Sequence, residues 1–181
     1  MKVIIDQTTY TAVSGVDFVP EADVTGSTLP INQFACDIYT TDEIDIGQWA
    51  ELRDDRGTLF ARYWITYAEH STVNLVRLVA KSPLILLQSS DLPAVVYDDE
   101  DAGDVLEGII LSLGSSLGSG DYAVDSDLAE VKVSGYCPAQ SARERLQWVC
   151  YAIGGYVKQA FDAKLRILPM VDEHTSPARV P

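Results

Sequence analysis

The chain has 181 residues, 47% hydrophobic and 22% charged, with 27 acidic against 13 basic side chains and a net charge of −14. This is globular composition, enough for one core or two closely packed halves, and it excludes a disordered chain. Such acidity disfavours contact with phosphate backbones, and no apolar run approaches the roughly 20 residues of a membrane-spanning helix.

The start, Met1 to Gln7, holds one cation and an acid at Asp6, so no signal peptide is expected. Residues 1–92 read as a β-rich half, an antiparallel barrel or sandwich. Tyr10–Val19 is a β run containing Gly15, which predicts a bulge or bend. A polar loop, Glu21–Pro30, separates it from a strand at Phe34–Thr40. Asp54-Asp55-Arg56-Gly57 is a turn signal that makes Ile46–Arg53 and Thr58–Tyr67 the arms of a hairpin. In the second arm Leu59, Ala61, Tyr63 and Ile65 share one face. Val73–Ala80 alternates in a way that suggests both faces are partly covered.

Residues 93–172 change period and read as a helix–strand half packed on the first. Asp101 or an adjacent acid is expected to cap a helix whose buried stripe is Val105, Leu106, Ile109, Ile110 and Leu113. Gly114–Gly120 is a flexible loop, and Val131–Val133 a short strand. A second helix then starts at Ser141, with Glu144 three residues on, which is the spacing of a capping box. Leu146, Val149, Cys150 and Ile153 form its apolar stripe. Gly154-Gly155 supplies a left-handed stop, with Gly155 placed in the left-handed region. Tyr156–Phe161 and Leu165–Leu168 follow as a hairpin. Residues 173–181 read as a linker cut mid-way, so the chain is expected to be part of a longer protein.

Chemistry-bearing patterns are few. Cys36, Cys137 and Cys150 lack metal spacing relative to His70 and His174 and read as buried thiols of a reducing compartment. Gly114-Ser115-Ser116-Leu117-Gly118 matches the G-x-S-x-G nucleophile elbow, but a helix precedes it where a strand is required, so Ser116 reads as a loop residue. Asp98, Asp99, Glu100, Asp101 and Asp104 lack the glycine register of a calcium loop, and Asp121, Asp125 and Asp127 are equally unpatterned. Trp49, Trp64 and Trp148 suit core or subunit packing better than sugar stacking. His70 reads as an exposed strand-end residue. No catalytic residue, metal or cofactor is expected.

The unit Ser141-Ala142-Arg143, Leu146-Gln147, Val149, Tyr151, Gly154-Gly155 and Val157, closed by Leu165-Arg166-Ile167-Leu168-Pro169, resembles the hub or tail-associated proteins at the tail tip of long-tailed bacteriophages and prophages. Glu21–Pro30, Ile46-Gly47, the turn Asp55–Leu59 and Leu92–Tyr97 look like the corresponding upstream segments. The resemblance implies an α+β fold, with the β-barrel or sandwich half followed by two helices packed on additional strands. It also implies a non-enzymatic virion protein, assembled in the bacterial cytoplasm, that forms a ring (a trimer) with itself and holds other tail proteins. It implies no small-molecule substrate. The motif residues Ser141, Arg143, Glu144, Leu146, Gln147, Gly154, Gly155 and Pro169 are then structural.

Charge is segregated along the chain. Residues 91–130 hold 11 acids and no Lys or Arg, and residues 131–181 hold seven cations and four acids. This makes Asp98, Asp99, Glu100 and Asp101 an interface candidate, with Arg143, Arg145 and Lys158 as counterparts within or between subunits. Two rival functions remain at this level: a carbohydrate- or receptor-binding module using Trp49 or Trp64, and a hydrolase using Ser116 or a carboxylate pair.

Overall fold

The computed structural model describes residues 1–19, 29, 31–112, 117, 120–159 and 164–170. Six strands, β1 (Lys2–Ile5), β2 (Thr8–Val19), β3 (Gln33–Tyr39), β4 (Trp49–Arg53), β5 (Leu59–Thr72) and β6 (Leu75–Lys81), close into an antiparallel barrel in the order β1-β2-β3-β6-β5-β4. Period-2 alternation, interrupted by register shifts in the β2–β3, β4–β5 and β5–β6 pairings, sends one set of side chains inside, from Val3 and Ile5 through Phe34, Cys36 and Ile38 to Val76, Leu78 and Ala80. Ala61, Tyr63 and Ile65 fill the interior as the alternation of β5 predicts. Closure leaves the sheet without an edge.

The turns are tight. Asp6 and Gln7 both take positive φ, 45° and 66°, the geometry of the two-residue hairpin turn, here made without glycine. β6 begins two residues later than its sequence pattern suggests, because Val73 and Asn74 form the turn after β5 and Val73 is exposed. Only one face of β6 is fully buried.

The second core is helical, and it begins before residue 93. α1 (Leu84–Gln88), α2 (Ala102–Leu111) and α4 (Ala142–Ala152) bury Leu87, Leu106, Ile110, Leu146 and Cys150 together. Among the described residues there are four helices rather than two, since α1 and the one-turn α3 (Ser126–Ala129) are too short to show a period. A three-stranded sheet covers the cluster. In it β13 (Leu165–Pro169) lies between antiparallel β12 (Gly155–Gln159) and parallel β9 (Tyr122–Val124).

Two short antiparallel pairings complete the fold: β8 (Val95–Asp101) with β10 (Lys132–Cys137), and β7 (Asp91–Leu92) with β11 (Gln140–Ser141). They are two stretches of one ribbon. Cys137 opposes Val95 and Gln140 opposes Leu92, so the gap between them holds Pro93 and Pro138, which lack the N–H a ladder needs. The helix starts where the acids place it, after Asp101, but Asp98, Asp99 and Glu100 ahead of it are strand residues of β8. Asp101 stands at the N-cap of α2 by its backbone, but its carboxylate makes no cap bond and pairs with Lys132 at 3.0 Å.

Barrel and helical half are joined by polar contacts and by Trp49 of β4, which packs against the helical core. Arg62 of β5 bridges to Asp121 at 2.7 Å, and the Gln159 amide donates to the Arg62 carbonyl at 2.8 Å. The Arg62 guanidinium lies over the Trp49 ring at 4.6 Å, and Trp49 meets Trp64 edge-on at 5.1 Å. All three cysteines are buried and unbridged, and burial pushes the Cys36 and Cys150 thiols up to about 12.

Candidate interaction surface

α4 organises the helical half, and its start is the capping box read from the sequence. The Glu144 amide donates to Ser141 Oγ at 3.2 Å, and the Ser141 amide donates to Glu144 Oε2 at 3.1 Å. The hydroxyl and then the amide of Ser141 hold the Glu144 carboxyl below its ordinary range. A carboxyl depressed on folding adds stability that is present above its unfolded value and lost as pH falls through the folded one. Glu144→Gln is thus expected to lower the thermal midpoint at neutral pH, with the deficit shrinking on acidification. Ser141→Ala should cost about 1 kcal/mol in urea unfolding. A Glu144→Gln deficit that does not change with pH would contradict this.

The buried face of α4 carries Ala142, Arg145, Leu146, Val149 and Cys150, and Gln147 is partly buried. Ile153 caps the C-terminus, and Gly154 alone takes the left-handed conformation, φ +70°. Gly155 is corrected here. It is the first residue of β12, buried and paired with Pro169, and it has no positive φ.

Arg143 and Arg145 do not meet the acidic run. Arg143 donates to the carbonyl of Leu29. Arg145 is 4% exposed, and its Nη2 is shared among the carbonyls of Pro93 at 2.5 Å, Pro138 at 3.0 Å and Leu92 at 3.4 Å. A guanidinium can satisfy several acceptors at once, so it fills the proline gap in the ribbon. Lys158 is exposed on β12, in a separate sheet. The seven interface candidates therefore do not form one patch, and Arg145 cannot contact a neighbour from inside the core.

What remains on the surface is the ribbon. Asp98, Asp99 and Glu100 are exposed along β8. Asp98 and Asp99 together oppose Ser134, a bulge in which Asp99 takes φ +58° and donates its amide to Ser134 Oγ at 3.0 Å. Val96 and Tyr136, direct cross-strand partners, are 67% and 69% exposed. On α4, Trp148 and Tyr151 also face outward, so Trp148 is not core.

Catalytic geometry is weak. Ser116 and His174 lie outside the described residues. His70 is exposed on β5, and among the described residues no three His, Cys, Asp or Glu side chains gather as a metal site. An open groove of about 380 Å³ is lined by Trp64, Thr66, Ile85, Leu86, Gln88 and Ser89. Its Thr66 and Ser89 hydroxyls already donate to the backbone carbonyls of Val79 and Leu86.

The closed barrel followed by this helix–ribbon–sheet half recurs in solved structures. A tail protein from Neisseria meningitidis superposes over 92% of this chain with a TM-score of 0.67 at 12% identity. The fold is that of phage tail proteins. A 43 kDa tail protein of prophage MuSo2 from Shewanella oneidensis shares this tail-protein fold over 93% of the chain, with a TM-score of 0.61 at 10% identity. So does the E. coli c3393 protein, a type VI secretion component described as similar to the T4 tail proteins gp27 and gp5, over 92% with a TM-score of 0.62 at 14% identity. The chain spans about half the length of these proteins: 49%, 54% and 48% respectively. No family model and no curated protein matches the sequence.

Proposed function

We propose that the chain is a structural part of a phage-type tail, placed at the tail-tip hub and assembling with copies of itself into a ring, a trimer, that holds neighbouring tail proteins. The observation that carries this is the tail-protein fold over more than nine-tenths of the chain. In this reading the protein resides in the virion tail after assembly in the bacterial cytoplasm, needs no cofactor and does no chemistry.

The ring can be tested by light scattering on the size-exclusion peak at low and high salt. Each copy carries −14, so copies repel, and screening should favour assembly. The expected result is a threefold mass that persists or grows at high salt, with rings in negative-stain images. A single-chain mass at every salt and concentration would overturn the ring.

A further inference from the structure

The β8–β10 ribbon is a two-stranded sheet with large apolar side chains on its outer face. A two-stranded sheet is marginal on its own, and among the described residues neither strand has a partner on its outer edge. Its inner side is anchored by buried Cys137 and by Tyr97 and Val133 against the helical core. Val96 and Tyr136 stand opposite each other and face solvent. An exposed aromatic–aliphatic pair beside open strand edges is the form of a surface that accepts an added strand.

The surrounding charge selects the occupant. Asp98, Asp99 and Glu100 are exposed on β8, while Lys132 at the ribbon's end is already paired with Asp101. A second copy fits poorly. The copy as a whole carries −14; its Arg53, Arg62 and Arg77 are paired with Glu51, Asp121 and Asp37, Arg143 and Arg145 bond carbonyls, and the exposed Lys2, Arg56 and Lys158 stand singly on β1, the turn after β4 and β12 rather than along one extended segment.

We propose that this ribbon docks a basic, extended segment of a different protein, which adds as a strand with its apolar side chains on Val96 and Tyr136 and its cations on Asp98 and Glu100. The inference rests on the tail-assembly reading only in taking that protein to be another tail component.

The test uses a labelled synthetic peptide of alternating Lys and Val, with an alternating Glu and Val peptide as its counterpart. Binding to the full chain is followed by fluorescence anisotropy, and amide exchange of residues 95–101 and 132–137 is measured in parallel. The Lys peptide should bind one-to-one, weaken with salt and protect ribbon amides, and the Glu peptide should not bind. Val96→Ser with Tyr136→Ser, and separately Asp98→Asn with Glu100→Gln, should each weaken it about tenfold. Glu43→Gln with Asp45→Asn, the same charge change on an exposed loop, should leave it nearly unchanged. Thermal midpoints confirm that every variant is folded.

Equal weakening by the loop pair would reduce the binding to general attraction and overturn the proposal, as would no loss from either ribbon pair. Loss of the self-assembled mass in the ribbon variants would also overturn it, since the ribbon would then be a contact between copies. A single-chain mass in the parent together with peptide binding at the ribbon would remove the ring and leave this inference standing.

Discussion

Arg145→Ala is expected to destabilise the chain by about 3 to 5 kcal/mol, from lost charge-assisted hydrogen bonds and the cavity left by the stem. Pro93 and Pro138 interrupt the ribbon between its two paired stretches, and the carbonyls of Leu92, Pro93 and Pro138 take their donor from one guanidinium nitrogen. Removing it leaves these carbonyls without that donor, in surroundings where Arg145 itself is only 4% exposed. Arg145→Lys should recover little, because an ammonium on a thinner stem cannot reproduce the planar fork. Arg145→Met, which keeps most of the volume, should fall between alanine and the parent and separate packing from hydrogen bonding. Urea unfolding reads all three. A loss under about 1 kcal/mol for Arg145→Ala would show that the proline gap holds without its guanidinium.

That role was not legible in the sequence, for a physical reason. An amphipathic reading assigns cations to the wet face of a helix, and nothing local to Arg145 signals that its partners lie at Leu92 and Pro93, 53 and 52 residues away. The acidic run was legible only at its end, where Asp101 meets the helix, and its strand character was hidden on similar grounds. Carboxylates before an apolar periodic stretch suit a helix N-terminus, while the opposing fact, that Val95 and Tyr97 point inward at strand spacing, spans only three residues. β7, β9 and β11 are two or three residues long and exist only through their partners. By contrast, the barrel interior and the capping box were legible, because period-2 alternation and the Ser141–Glu144 spacing are local and their chemistry closes within a few residues. The surface ribbon lay between these cases. Its charge was plain, but its geometry depended on pairing residues that are far apart in the chain.

The adjacent glycines after α4 separate two physical requirements that the sequence merges. Gly154 needs conformation: at φ +70° its added Cβ would meet nothing within 4 Å, so a side chain there is penalised only by backbone strain. Gly154→Ala should cost about 1 to 2 kcal/mol, and Gly154→Asn less, because asparagine tolerates the left-handed region. Gly155 needs space. Its added Cβ would lie 3.0 Å from Leu128 Cδ1 and 3.5 Å from the carbonyl oxygens of Cys150 and Leu168. The leucine methyl can rotate aside for alanine, but the carbonyls belong to α4 and β13 and cannot give way to a branched side chain. Gly155→Ala should therefore be mild and Gly155→Val should cost about 2 to 3 kcal/mol through overpacking. Thermal and urea unfolding of these four variants and of Gly155→Asn give the contrast. Asparagine rescue at 154 with size dependence at 155 is the expected pattern. If Gly155→Asn proved milder than Gly155→Ala, position 155 would be governed by backbone conformation, and the packing of β12 against Leu128 would have to be redrawn.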